Sequence, residues 1–224
     1  MKKMNHKINI LGIDLIMLSA KETMKQVIEY LDTEVTNTIE IITLEMLMKE
    51  KDSLDWKEQL QQMDLLIPVE TAMFESSESV DKTYLKDVEK KTFLRMLFRY
   101  FQRTKKSIFL LAEEEGELSR MRNAVLGYGH GISLVGEAIL EKDSGLEENI
   151  INTINGIEPD CIISGLTSPY GEEFIVRNRA LLNARLWIGG MHYYKEKSCE
   201  KLFGKLKDFI MKKIFRYQME KQKQ

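Results

Sequence analysis

Short runs of apolar residues alternate along this chain with stretches whose apolar positions recur at helical spacing. "INILGIDL" reads as a first strand. Ser19, followed three residues later by Glu22, forms a capping-box pattern that opens a helix through about Leu31. "TIEIIT" reads as a strand, and "MLMKEKDSLDWKEQLQQM" as helix in two pieces around Asp52-Ser53. "DLLIP" is a short buried strand stopped by Pro68. "VETAMFESSESVDKTY" has little periodicity and predicts a long loop or lid. The alternation then resumes. "LKDVEKKTFLRMLFRYFQR" predicts a helix, "SIFLLA" a strand, "GELSRMRNAVLGY" a helix and "GISLVG" a strand. "LEENIINTING" predicts a helix, "DCIISG" a strand, "EEFIVRNRALL" a helix, "RLWIGG" a strand, and "CEKLFGKLKDFIMKKIFRYQME" a last long helix.

Apolar strands separated by helices bury both faces of the sheet they form, so the pattern predicts an α/β fold. The sheet is doubly wound, mostly parallel, of about six strands and flanked by helices. Residues 1–194 read as the α/β domain and 195–224 as a basic amphipathic C-terminal helix. Ligands in such sheets sit at the carboxyl ends of the strands. Those ends are Thr43, Pro68 to Thr71, Ala112-Glu113, Gly136-Glu137, Gly165 to Glu172 and Gly189 to Tyr193.

Composition adds little: 43% hydrophobic and 30% charged residues in 224 exclude a disordered chain. Neither a secretory-type apolar segment nor a long uncharged run is present, which predicts a cytoplasmic protein without a spanning helix. Cys161 and Cys199 lack metal-ligand spacing, and Cys161 reads as a small buried hydrophobe. Charge is more informative. Seven Lys or Arg and no acid lie between Lys90 and Lys106, and from Lys195 onward ten basic residues face four acidic ones. With a net charge of −2 the rest is acidic, which suggests a localised anionic partner rather than nucleic acid.

Several segments together resemble a known family. "ILGIDL", "DLLIP", "GLTSPYGEEFIVRNR" and "WIGGMHYY" resemble, in order and spacing over residues 8–217, the WecB/TagA/CpsF glycosyltransferases. The resemblance implies a Rossmann-like sheet without metal or other cofactor. It implies inverting transfer of an N-acetylhexosamine, N-acetylmannosamine-like, from a nucleotide sugar to a lipid-linked acceptor in surface polysaccharide or teichoic-acid-type assembly. It also implies a basic C-terminal element near the membrane.

Carried onto this chain, the resemblance marks Thr43 and Glu70 as catalytic candidates. The family's aspartate base falls on Val69, which cannot accept a proton, and Glu70 is the carboxylate one position on. Gly165, Thr167, Ser168, Tyr170, Gly171 and Glu172 are substrate-binding candidates, with Gly189, Gly190 and His192 at the last strand end. The family's paired glycines after the fourth strand are Ala112-Glu113 here, and a carboxylate there repels a diphosphate. Lysine and glutamine of the family's loop become Tyr170 and Gly171. Plain structural readings stand beside these: Thr167 or Ser168 as N-cap of the following helix, and Glu172 and Glu173 as first-turn acids.

Two function classes follow: a glycosyltransferase, or a non-catalytic homologue that kept the fold as a binding or scaffolding subunit. A generic nucleotide-binding oxidoreductase is disfavoured, because no Gly-x-Gly-x-x-Gly follows the first strand. In the last helix, Leu202, Leu206, Phe209, Ile210, Ile214 and Tyr217 share one face, flanked by Lys205, Lys207, Lys212, Lys213 and Arg216. That pattern predicts contact with an anionic membrane surface on the inner face, or packing on the domain with a basic rim. Phe93, Leu97, Tyr100 and Phe101 among the other basic cluster extend the membrane reading. A homo-oligomer is left open.

Overall fold

Six of the apolar runs assemble into one all-parallel sheet in the computed structural model, which describes residues 6–74, 80–129, 131–191 and 202–222, side chains excluded at 6, 202–210 and 222. The strands are β3 (Asn37–Ile42), β4 (Leu65–Pro68), β5 (Ser107–Ala112), β6 (Ser133–Ile139), β7 (Cys161–Ser164) and β8 (Leu186–Gly189). Their order is β4-β3-β8-β7-β5-β6. Consecutive strands thus lead outward from the centre in both directions, and β7 and β8 return to fill the middle. All six carboxyl ends lie along one side of the sheet, which makes the fold a doubly wound α/β arrangement.

"INILGIDL" is not one strand of that sheet. It folds into an antiparallel hairpin of β1 (His6–Ile10) and β2 (Ile13–Met17). Leu11 and Gly12 take φ of 51° and 86°, the left-handed values that a two-residue type I′ turn requires. The Asn9 side chain accepts from Gly12 N–H at 3.1 Å and donates to Asp14 at 2.8 Å. The turn was hidden because leucine occupies a position where asparagine or glycine is usual.

Helices cover both faces. On one side α1 (Ala20–Leu31), α5 (Thr92–Thr104) and α6 (Glu115–Gly127) pack Val27, Leu97, Phe101 and Met121 against Ile39, Leu110 and Ile163. On the other, α2 (Leu44–Glu50), α3 (Leu54–Gln61), α4 (Lys82–Glu89), α7 (Glu147–Ile157), α8 (Tyr170–Asn178) and α9 (Leu202–Gln222) contribute to a cluster that includes Trp56, Phe174, Trp187 and Phe215. Ser19 forms its capping box with Glu22, and Ser53 caps α3, so the break near Asp52-Ser53 stands.

Other expectations change. The single helix read over residues 85–103 is two helices, α4 and α5, broken at Lys90-Lys91 with Lys91 at φ 50°. Part of the supposed lid is core: Thr71–Phe74 form a 3-10 turn that buries Ala72, Met73 and Phe74. β6 runs on to Ile139, so Gly136 and Glu137 lie inside a strand, where Glu137 pairs with Arg122.

The aromatic residues of the first basic cluster do not face a membrane. Phe93, Leu97 and Phe101 are buried beneath α5 and Tyr100 packs partly against the same cluster, because α5 needs an apolar face toward α1 and the sheet. The α9 helix docks on α2 and the adjoining core through Phe215 and Met219, with Met211 beside them. Ile214 and Tyr217, 47% and 64% exposed, lie on a second side of the helix. The two basic segments therefore belong to opposite faces of the sheet. None of the described helices is long and apolar enough to cross a membrane.

Candidate active site

The strand-end loops converge where β3, β4, β7 and β8 finish. Thr43 ends β3 and caps α2, its hydroxyl accepting from Met46 N–H at 3.3 Å. Glu70, two residues beyond β4, reaches across and accepts from Leu44 N–H at 2.9 Å. Neighbouring parallel strands with the register Ile42↔Pro68 bring these ends together, and the Leu44 N–H at the start of α2 holds the carboxylate. Val69 N–H instead bonds Ile42 carbonyl at 3.2 Å, and its side chain packs into the core.

The β7–α8 loop holds carboxylates of the protein itself. Glu113, just past β5, accepts from both Thr167 N–H (2.5 Å) and the Thr167 hydroxyl (2.6 Å) through one oxygen, Oε1. Glu172 accepts from the Ser168 hydroxyl at 2.7 Å and from the Trp56 indole N–H at 2.8 Å. Neither Thr167 nor Ser168 caps α8; Pro169 occupies that position and provides no side-chain hydrogen bond. Lys49 of α2 donates to the Ser168 carbonyl at 2.7 Å and so ties the first half of the site to the second.

Burial dominates the electrostatics here. Glu172 is 1% exposed, and desolvation raises its carboxyl above the ordinary value despite its two donors. Glu40, in the middle of β3, is 2% exposed; burial raises it well above that value, and nearby Glu172 raises it further. The Glu40 carboxyl lies against the end of β8. A Cβ on Gly189 would stand 2.1 Å from Glu40 Oε2, and one on Gly190, at φ 73°, would stand 2.2 Å from the Ile41 carbonyl oxygen. These two glycines are thus required by close packing on β3, whatever else they meet.

Gly165 and Gly171 have packing reasons too: added Cβ atoms would meet Met121 Sδ at 2.4 Å and the Leu166 carbonyl at 3.1 Å. Tyr170 is buried in the core, and its hydroxyl donates to Glu147 of α7 at 3.3 Å. Burial raises that phenol first, the Glu147 charge next. Arg177 pairs with the same Glu147 and Arg179 with Asp64, as surface ion pairs. His192 lies outside the described residues.

The sequence did not mark Glu40, Trp56 or Lys49 as parts of this region. A glutamate inside the otherwise apolar "TIEIIT" was the available signal for Glu40. The other two are helix residues whose partners lie more than a hundred positions away.

A doubly wound parallel sheet with polar groups gathered at the strand ends has the arrangement in which open α/β sheets place their ligand sites. The sequence model of the WecG/TagA/CpsF family of glycosyl transferases matches residues 8–191. The chain belongs to that family. No curated protein matches it.

Proposed function

We propose that the protein transfers an N-acetylhexosamine from a nucleotide diphosphate sugar to a lipid-linked acceptor during assembly of a surface polysaccharide. The observation carrying this reading is the placement of Glu70 beside Thr43 at the N-terminus of α2, across from the β7–α8 loop that Lys49 ties to the same helix. Glu70 would take the proton from the acceptor hydroxyl as that oxygen attacks the anomeric carbon and the nucleoside diphosphate leaves. Thr43 would orient the reacting groups. The loop at Gly165, Thr167, Ser168, Tyr170, Gly171 and Glu172 would hold the donor together with Gly189, Gly190 and His192. Inversion follows from a single displacement.

An apolar cleft supports the lipid-linked acceptor. It runs along β4 and is lined by Ile16, Leu65, Ile67, Tyr84, Phe93 and Val69, which adjoins Glu70. An apolar part of the acceptor would contact this cleft next to the Glu70 loop. The exposed Ile214 and Tyr217 of α9, with Lys212 beside them, would rest on the anionic inner surface of a membrane while Phe215 and Met219 hold the helix to the domain.

A second reading has its own observation. Val69 stands where the family's base is expected, and Glu113 and Glu172 already satisfy donors of the loop. On that reading the chain is a non-catalytic homologue serving as a binding subunit. Thermal unfolding in the presence of uridine and other nucleotide sugars separates the two. A donor present at about 100 times its dissociation constant stabilises the fold by about 2.7 kcal/mol. No shift with any of them would favour the binding-subunit reading.

A further inference from the structure

Thr167 offers the β7–α8 loop two hydrogen-bond donors within reach of a single acceptor atom, its N–H and its hydroxyl. A phosphate oxygen entering the loop would need such donors. Both already end on one oxygen of Glu113, at 2.5 and 2.6 Å, distances typical of bonds to a charged acceptor. The neighbouring hydroxyl, Ser168, is committed to Glu172. The cation nearest in bonding, Lys49, is spent on a backbone carbonyl and on Glu50 at 3.3 Å. Glu113 is half-exposed at the head of the turn after β5, so its side chain can leave without unpacking the core.

We propose that Glu113 is a built-in occupant of the anion seat at Thr167, and that a diphosphate donor enters this loop only as the Glu113 side chain leaves it. In the resting protein the carboxylate stands where a diphosphate oxygen would sit. An anionic donor binds only by displacing it and then lies beside a like charge that water screens in part. The inference rests on the donor site described above and adds to it an occupant that the donor must displace.

The test measures calorimetric binding of uridine diphosphate and of inorganic pyrophosphate to the full-length protein and to Glu113→Ala, Glu113→Gln and Glu114→Ala. Glu114 carries the same charge one residue on, is exposed and pairs with Arg120, so its loss controls for general charge. Removing the Glu113 side chain should tighten binding of both anions by at least about tenfold. Glu113→Gln, which keeps an acceptor without the charge, should give a smaller gain, and Glu114→Ala should give at most about twofold. Glu113→Gln also serves if the alanine variant folds poorly.

Equal affinities in parent and Glu113 variants overturn the occupant role while leaving the donor reading intact. Gains that Glu114→Ala matches reduce the effect to bulk charge and overturn it too. Absence of anion binding in every variant overturns the seat itself. A gain for pyrophosphate without any for the nucleotide upholds the seat and counts against a nucleotide donor.

Discussion

The indole of Trp56 donates to the buried carboxyl of Glu172 at 2.8 Å, joining α3 to the first turn of α8 across 116 positions of sequence. The same carboxyl receives the Ser168 hydroxyl, so one acidic residue gathers a helix and a loop at the strand ends. Glu172 lies at the start of α8, where a negative charge is favoured, yet its burial makes the donors necessary.

Trp56→Phe keeps most of the apolar volume and removes that donor. It should cost about 1–3 kcal/mol, the range for leaving a buried acceptor unpaired. Urea unfolding checks it. A loss below about 0.5 kcal/mol would show that Ser168 alone satisfies the carboxyl.

Glu40 predicts how stability changes with pH. Its folded carboxyl is raised well above 4.5 by burial first and the charge of Glu172 second. The unfolded chain therefore gives up this proton before the folded one does. Stability is whole below about 4.5, falls as pH climbs toward the raised value, and stays lost beyond it. Glu40→Gln cannot ionise and should lose that slope. Urea midpoints of both proteins from about pH 5 to 9 test this, with the parent falling behind the variant as pH rises. Parallel curves would mean that Glu40 titrates normally.

Gly189→Ala should be destabilising by about 1–3 kcal/mol, because its methyl would meet the end of the buried Glu40 side chain and force it to shift. Gly156→Ala, with nothing within 4 Å of the added carbon, should be neutral or slightly stabilising. Glu40→Ala combined with Gly189→Ala should recover part of the loss, since the obstructing atoms are gone. Strict additivity in the double variant would place the clash elsewhere.

Much of this was legible in the sequence. The six apolar runs that became the parallel sheet were short, uninterrupted and spaced by helical pattern, so burial on both faces was readable from them alone. The capping box at Ser19 and Glu22 and the helix break near Asp52-Ser53 were readable because both are local in the sequence. The hairpin at Leu11-Gly12 and the break at Lys91 were not, because each depends on a left-handed conformation at a residue that does not advertise it.

Within the site, Thr43 and Glu70 could be placed as neighbours because adjacent strand ends converge. The partnerships of Glu172 with Trp56 and Glu113 with Thr167 could not, because they depend on how helices and loops pack across the sheet ends. Residues chosen as ligand contacts, Tyr170 and Gly189 among them, also carry packing roles that the sequence pattern did not separate from binding.

The last helix gives a surface test. Ile214→Ser with Tyr217→Ser should lower recovery of the protein with anionic vesicles, with little effect on folding, because both side chains are exposed. Binding by the parent should also weaken as salt shortens the screening length from about 10 Å at 0.1 M to about 3 Å at 1 M. Co-sedimentation unchanged by the substitutions would assign any vesicle binding to another surface.

On the proposed mechanism Glu70, held at the N-terminus of α2, is the base for transfer. Single-turnover sugar transfer to a lipid-linked acceptor by Glu70→Gln, with donor affinity measured in parallel, tests it most directly. Glutamine keeps an oxygen for the Leu44 N–H, so the loop is retained while the proton acceptor is lost. The rate should fall by about 10²–10⁴-fold with donor affinity nearly unchanged. A variant that transfers sugar as fast as the parent would contradict it.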